Sequence, residues 1–257
     1  MSVTAVIPVR AGSTRVKNKN IRPFMDSNLL EIKIEQLKQV PEIDEIIVST
    51  DSPIMFEIAQ QKGVTGKRRP VEFCDEKSRT FNEVVHYIAE NEVSTEIMMW
   101  TPCVCPFVGS KRIRDGLQKY IELVDREKIF DSVVSAVLFK EYIFGETGPV
   151  NFSATHHVPS QYLPAWHLII NGFYIASRKN MYEWSYFYGP NPYLFEIDKS
   201  ESIDIDDEID FDFAEFLFRR NLNMKNTFSG EGSNRNLRFN LLFSLMMPSR
   251  EDSEAVA

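Results

Sequence analysis

Short apolar runs alternate with longer segments of mixed polarity through the first half of the chain. Val3-Thr4-Ala5-Val6-Ile7-Pro8-Val9 is closed by a Gly12-Ser13 turn, the pattern of a buried first strand in an α/β sheet. Residues 28–40 carry Leu29, Leu30, Ile32, Ile34, Leu37 and Val40 at an irregular but helical spacing. Ile46 to Thr50 predicts a strand ending at Asp51. Pro53 to Lys62 predicts a helix, with proline in the first turn and Gly63 just past the end. Thr80-Phe81-Asn82-Glu83 is a capping box that opens a helix over Asn82 to Glu92. Ile97 to Trp100 reads as a strand, Gly109 to Arg126 as a helix, and Val133 to Leu138 as a strand. This alternation implies an α/β fold, a mostly parallel sheet flanked by helices on both faces.

The rhythm breaks from about Phe139 to His167. There Gly145, Gly148, Pro149, Pro159 and Pro164 punctuate an aromatic, His-containing excursion from the sheet. Leu168 to Ile175 and Tyr193 to Ile197 resume as strands. Asp207 to Arg220 predicts a helix with acids at its start and Arg219-Arg220 at its end, matched to the helix dipole. Beyond Thr227 the chain turns to Ser, Gly, Asn and Arg, with one apolar patch at Leu241 to Met247. The expectation is one domain over residues 1–226 and a polar, poorly ordered extension over 227–257.

Composition narrows the function. With 257 residues and 43% hydrophobic content the chain can bury a sizeable core. It has no run of the roughly 18–20 apolar residues needed to span a bilayer, and no secretory leader pattern. Cys74, Cys103 and Cys105 are too few and too odd in number for a disulfide framework. A cytoplasmic protein that does not engage membranes is expected. The net charge of −8 argues against sequence-independent nucleic-acid binding, which needs a broad positive surface.

Against that acidic balance, Arg10, Arg15, Lys17, Lys19 and Arg22 all precede the first acid, Asp26. They follow the first strand, where the carboxyl ends of parallel strands bind ligands. Such a cluster fits one polyanion, such as a nucleoside triphosphate. Near the other end, Glu201-Ser202-Ile203-Asp204-Ile205-Asp206 has the alternation of an extended segment, with the isoleucines on one side and the aspartates on the other. At ~3.3 Å rise per residue the two acids stand about 6.6 Å apart. At an effective dielectric near 20 their repulsion is roughly 2.5 kcal/mol. A divalent cation offsets it, and Mg²⁺ is commonly held by one or two carboxylates together with substrate phosphates. A solvated strand edge fits the tetrapeptide equally well; the basic loop favours the metal. Thr80 serves as a helix cap, a ligand contact or both. Cys103 and Cys105 with His156 and His157 lack the spacing of a zinc site.

Taken in order, several stretches resemble the CMP-sugar acid synthetases. These cytidylyltransferases activate sialic, pseudaminic and legionaminic acids or 3-deoxy-octulosonate. Val9 to Ile21 is similar to that family's A-R-x-x-S-K-x-(I/L)-P-x-K-N-(I/L) loop. Ile47-Val48-Ser49-Thr50-Asp51 resembles its second strand and Arg69-Pro70 its R-P turn. Thr101 to Phe107 resembles a modified P-T-(S/A)-P-(L/F) segment, and Asn171 to Ile175 and Ser202 to Asp206 resemble the last two motifs. The resemblance implies a Rossmann-like nucleotidyltransferase domain with CTP as co-substrate, Mg²⁺ as cofactor and a small anionic sugar acid as acceptor. It also implies a homodimer, with residues 139–167 as the dimerisation arm that closes over the partner's sugar site. By position, Arg10, Ser13, Arg15 and Lys19 would hold the triphosphate. Asn20, Arg69, Ser78 and Thr80 would surround the cytidine, and Asp204 and Asp206 would bind the metal. Gln161, Asn171 and Phe173 would meet the sugar acid, and Arg10, Lys19, Asp204 and Asp206 would form the catalytic set.

The chain departs from the family pattern in places. Lys17 replaces the loop proline, Cys103-Val104-Cys105 replaces polar residues, Ser160 stands where an Arg is usual, and Tyr162 replaces an acid. The last three lie on the sugar side. They leave open a non-sugar acceptor such as a phosphonate, or a catalytically silent nucleotide-binding protein of the same fold.

Overall fold

A computed structural model describes residues 1–229 apart from 14 and 76. In chain order the strands are β1 (Val3–Pro8), β2 (Glu45–Thr50), β3 (Thr65–Arg68), β4 (Ile97–Trp100), β5 (Ser132–Phe139), β6 (Phe144–Gly145), β7 (Gly148–Pro149), β8 (Trp166–Ser177) and β9 (Pro192–Glu196). The helices are α1 (Leu29–Lys38), α2 (Pro53–Gln61), α3 (Phe81–Asn91), α4 (Ser110–Lys119), α5 (Arg178–Trp184) and α6 (Glu208–Ser229). All strands but β6 and β7 form one seven-stranded sheet in the order β3-β2-β1-β4-β8-β5-β9. Within it, only β8 runs antiparallel, inserted between β4 and β5. The mostly parallel α/β architecture expected from the alternation is what forms.

Strand alternation sends Val3, Ala5 and Ile7 of β1 to one face of the sheet and Val6 to the other. The first face is covered by α1, α2, α4 and α6, the second by α3 and α5, with Trp100, Tyr174 and Phe187 in its core. The predicted capping box of Thr80 and Glu83 forms, and Asn28 and Ser52 also accept a backbone N–H in the first turn of their helices.

Four departures from the sequence pattern have physical reasons. β3 is an edge strand of Thr-Gly-Lys-Arg with no buried residue, so it carries no apolar signal. Helix α5 is only seven residues long and lies just after a strand. The expected helix 109–126 is α-helical to Lys119 and continues as a π-helical turn over Tyr120–Arg126. Helix α6 passes the expected end at Arg220 and the expected boundary at 226. No glycine or proline interrupts it before Gly230 in the sequence. Residues 230–257, including the Leu241–Met247 patch, lie outside the described residues. Among the described residues no helix is long and apolar enough to cross a membrane.

One irregularity shapes the site. β5 and β8 pair as Val134↔Tyr174 and then Ala136↔Ile169, so residues 170–173 of β8 bulge opposite Ser135. The Ser135 hydroxyl replaces the missing ladder bonds, accepting from Phe173 N at 3.0 Å and donating to Ile170 O at 2.9 Å. A Cβ on Gly172 would lie 2.9 Å from that hydroxyl, so only glycine fits this wide bulge.

Candidate active site

A cleft of about 790 Å³ opens at the carboxyl ends of β1 and β4. The loop after β1 forms one wall. Gly12 takes φ +75° there, and Ala11 N donates to Asp51 Oδ1 at 2.8 Å, tying the loop to the end of β2. Arg10, Ser13, Arg15, Lys19, Asn20, Arg69, Thr80, Asn171 and Asp206 all line this one cleft. Residues nearly two hundred positions apart in sequence therefore meet.

The contacts within the cleft are specific. Lys19 Nζ donates to Ile205 O at 2.6 Å, and Ile205, fully buried, donates its own N–H to Val104 O at 3.0 Å. Arg15 pairs with Asp206 at 3.0 Å, both side chains more than half exposed. The basic loop and the acidic segment are thus already clasped together. Asp204, two residues before Asp206, is less exposed and does not itself line the cleft. Its Oδ2 accepts from Asn171 Nδ2 at 2.7 Å and Asn171 N at 3.4 Å, whereas Oδ1 is buried and accepts no hydrogen bond. Burial pushes the Asp204 carboxyl above its ordinary range, Asp206 adds to this, and Asn171 and Lys19 oppose it.

Arg69 is almost wholly buried. Its guanidinium donates to Val9 O at 3.0 Å, Ser49 Oγ at 3.3 Å and Cys74 Sγ at 3.0 Å, so it stitches β1 to β2 as well as facing the cleft. Behind the 101–109 segment, Lys33 of α1 is fully buried, its Nζ 3.5 Å from Cys105 O and Val108 O. Burial brings that amine down to about 8 and drives the Cys103 thiol up to about 11. Among the described residues no cluster of three His, Cys, Asp or Glu can hold a metal, so Cys103 and Cys105 form no zinc site with His156 and His157.

Other expected residues go elsewhere. Phe173 is fully buried, packed on Gly116 and 5.5 Å from the Phe195 ring, and does not line the cleft. Ser78 sits beside the cleft, its hydroxyl donating to Asp75 Oδ2 at 2.8 Å. Gln161 belongs to a short turn in the 139–167 excursion, its carbonyl bound by Lys140 at 3.2 Å. Lys17 is exposed outside the cleft. Arg22 faces α6 instead, pairing with Glu208 at 2.5 Å and stacking 4.4 Å over Phe211. The sequence reading missed Arg79, a cleft cation 5.3 Å above the Phe73 ring; its place between Ser78 and Thr80 was the available signal. It also missed Ser135, which no motif marks, and gave no role to Tyr174, although that residue lies within the Asn171–Ile175 stretch.

A doubly wound sheet with a cationic cleft at the ends of its central strands, lined also by Asp206, is the architecture of a nucleotidyltransferase. Residues 4–138 match the cytidylyltransferase family, and the chain belongs to it. The chain is 26% identical over 215 residues to the N-acylneuraminate cytidylyltransferase of Escherichia coli O18:K1:H7, covering 82% of this chain and 51% of that protein. It therefore spans about half the length of that relative. It is 22% identical over 228 residues to the pseudaminic acid cytidylyltransferase of Campylobacter jejuni strain 81-176, covering 86% of this chain and 98% of that one. The fold superimposes with a TM-score of 0.64 on CMP:2-keto-3-deoxy-manno-octonic acid synthetase complexed with CTP. That match has 14% identity and covers 86% of this chain and all of the other.

Proposed function

We propose that this protein transfers CMP from CTP to the anomeric hydroxyl of a 2-keto-3-deoxy sugar acid of the sialic, pseudaminic or legionaminic type, releasing pyrophosphate. The convergence of Arg10, Arg15 and Lys19 with Asp206 in one cleft carries this reading. The names of the relatives support the acceptor class. In-line displacement at the α-phosphorus needs positioning and charge neutralisation more than covalent help. Arg10 and Ser13 hold the triphosphate where β1 ends. Arg15 exchanges Asp206 for phosphate oxygens as the nucleotide enters. Lys19, fixed to Ile205 O, supports the phosphates and the acidic segment together.

The donor set fits Mg²⁺. A buried carboxylate oxygen without a hydrogen bond calls for a partner outside the protein, and two carboxylates beside a phosphate cleft match the hard-oxygen preference of that ion. Asp204 and Asp206 would hold it; when bound it offsets phosphate charge and eases ionisation of the attacking hydroxyl. The expected arm over 139–167 carries exposed Tyr142, Phe144, Val150, Tyr162 and Trp166 next to exposed Leu168 and Ile169 of β8, which supports a homodimer built through it. A cytoplasmic setting accords with the composition. Cys103 and Val104 line the cleft where the family pattern has polar residues, and this departure supports a second reading in which a phosphonate replaces the sugar acid.

Pyrophosphate release measured with CTP and with UTP, across a panel of sugar acids and phosphonates, tests the assignment. Release is expected with CTP and a nonulosonic acid, and Asp206→Asn should abolish it. Calorimetric CTP binding with no release for any acceptor would mark a silent nucleotide-binding protein.

A further inference from the structure

The bulge at residues 170–173 takes Asn171 out of the strand alternation. Ile170, Phe173 and Ile175 stay in the core on one face and Tyr174 and Ala176 on the other, while Asn171 lines the cleft. Both ends of its amide are then engaged within the protein. Tyr174 Oη donates to Asn171 Oδ1 at 3.0 Å, and Asn171 Nδ2 donates to Asp204 Oδ2 at 2.7 Å. The amide is nearly symmetric in shape but not in charge. Turned over, it would set its carbonyl oxygen against a carboxylate at the same separation, two acceptors facing each other. A phenol that donates to Oδ1 holds the favourable orientation, and Tyr174 is itself buried between Phe187, at 4.2 Å between centroids, and Tyr188. Since Asn171 Nδ2 and its backbone N–H both go to Oδ2, one oxygen of Asp204 is occupied and Oδ1 is left over.

We propose that Tyr174 is a positioning residue for Asp204, acting through Asn171, and that the pair sets which carboxylate oxygen is offered to the divalent cation. Asn171 is on this view a brace for Asp204 rather than a contact for the sugar acid. The proposal rests on the assignment of Asp204 and Asp206 to the metal. Outer hydrogen bonds of this kind orient the ligating group, and their loss typically lowers metal affinity about 10- to 100-fold.

Mn²⁺, titrated by electron paramagnetic resonance into the full chain with CTP present, reports cation binding apart from turnover. Tyr174→Phe keeps the ring and removes the donor. It should weaken Mn²⁺ binding about tenfold and raise the Mg²⁺ requirement for pyrophosphate release in proportion, with KM for CTP at saturating Mg²⁺ unchanged. Asn171→Ala should weaken Mn²⁺ binding at least as much, and adding Tyr174→Phe to it should cause no further loss. Should Tyr174→Phe not fold, weakened Mn²⁺ binding in Asn171→Ala supports the brace and unchanged binding overturns it. Wild-type affinity in a folded Tyr174→Phe protein, or fully additive losses in the double variant, overturns the proposal while leaving the metal site standing. A wild-type chain that binds no Mn²⁺ and turns over without a divalent cation overturns the metal assignment itself, and this proposal with it.

Discussion

Replacing Lys33 by Met should stabilise the protein at neutral pH. The amine is fully buried on α1, with two backbone carbonyls at 3.5 Å and no carboxylate bonded to it. Burial lowers it from 10.5 to about 8, a gap that at ~1.4 kcal/mol per unit corresponds to about 3 kcal/mol. Below pH 8 the amine is charged in both the folded and unfolded chain, and the folded state carries the whole penalty. Between about 8 and 10.5 the folded chain sheds the proton while the unfolded chain keeps it, so stability rises with pH; above that window the penalty is gone. The neighbouring thiols are raised in the folded protein, Cys103 to about 11, so they stay neutral over most of the same range. Met has a similar length and no charge. After subtracting roughly 1 kcal/mol for the lost carbonyl contacts, a net gain of about 2 kcal/mol is expected at pH 7. Urea unfolding of both proteins at pH 7 and pH 10 provides the assay. The variant's advantage should shrink across that interval, other titrations cancelling in the difference. An advantage independent of pH, or a less stable variant at pH 7, would refute the reasoning.

Lys19→Met removes both a cleft-lining charge and the tie to Ile205 O, whereas Arg15→Met removes an exposed ion pair worth little by itself. In steady-state pyrophosphate release, kcat should fall at least tenfold further for Lys19→Met. Gly172→Ala forces a Cβ to 2.9 Å from the Ser135 hydroxyl and should cost about 1–3 kcal/mol in urea unfolding. An unchanged midpoint there would mean that the bulge relaxes freely.

The elements with strong patterns were legible: β1, β2, β4, β5 and the capped helices α1 to α3 fall where apolar spacing and capping residues placed them. The run of cations after β1 and the Asp-Ile-Asp alternation are likewise signals local to the chain, and Arg10, Arg15, Lys19 and Asp206 do share one cleft. Ile203 and Ile205 do pack into the core, with Asp204 and Asp206 on the other side. What failed depended on contacts distant in sequence. Residues 171 and 173 are two apart and share a face in any regular strand, so nothing local separates a cleft-lining Asn171 from a core Phe173; Ser135, on another strand, does that. Arg22 has the same charge as Lys19, and only the position of α6 turns it away from the cleft. β3 and α5 are too short and too polar to carry a period of their own.

The placement of β8 bears on the order in which the molecule can assemble. β1 to β4 are neighbours in space and lie within the first hundred residues, so they can pair as soon as they are made. β5 cannot join them, because its place beside β4 is separated by a strand synthesised later. When β8 enters that gap it unites the two halves of the sheet and, in the same movement, carries Asn171 to the cleft. The sheet therefore becomes continuous, and Asn171 reaches the cleft, only after β8 is made, while Asp204 and Asp206 follow still later in the chain.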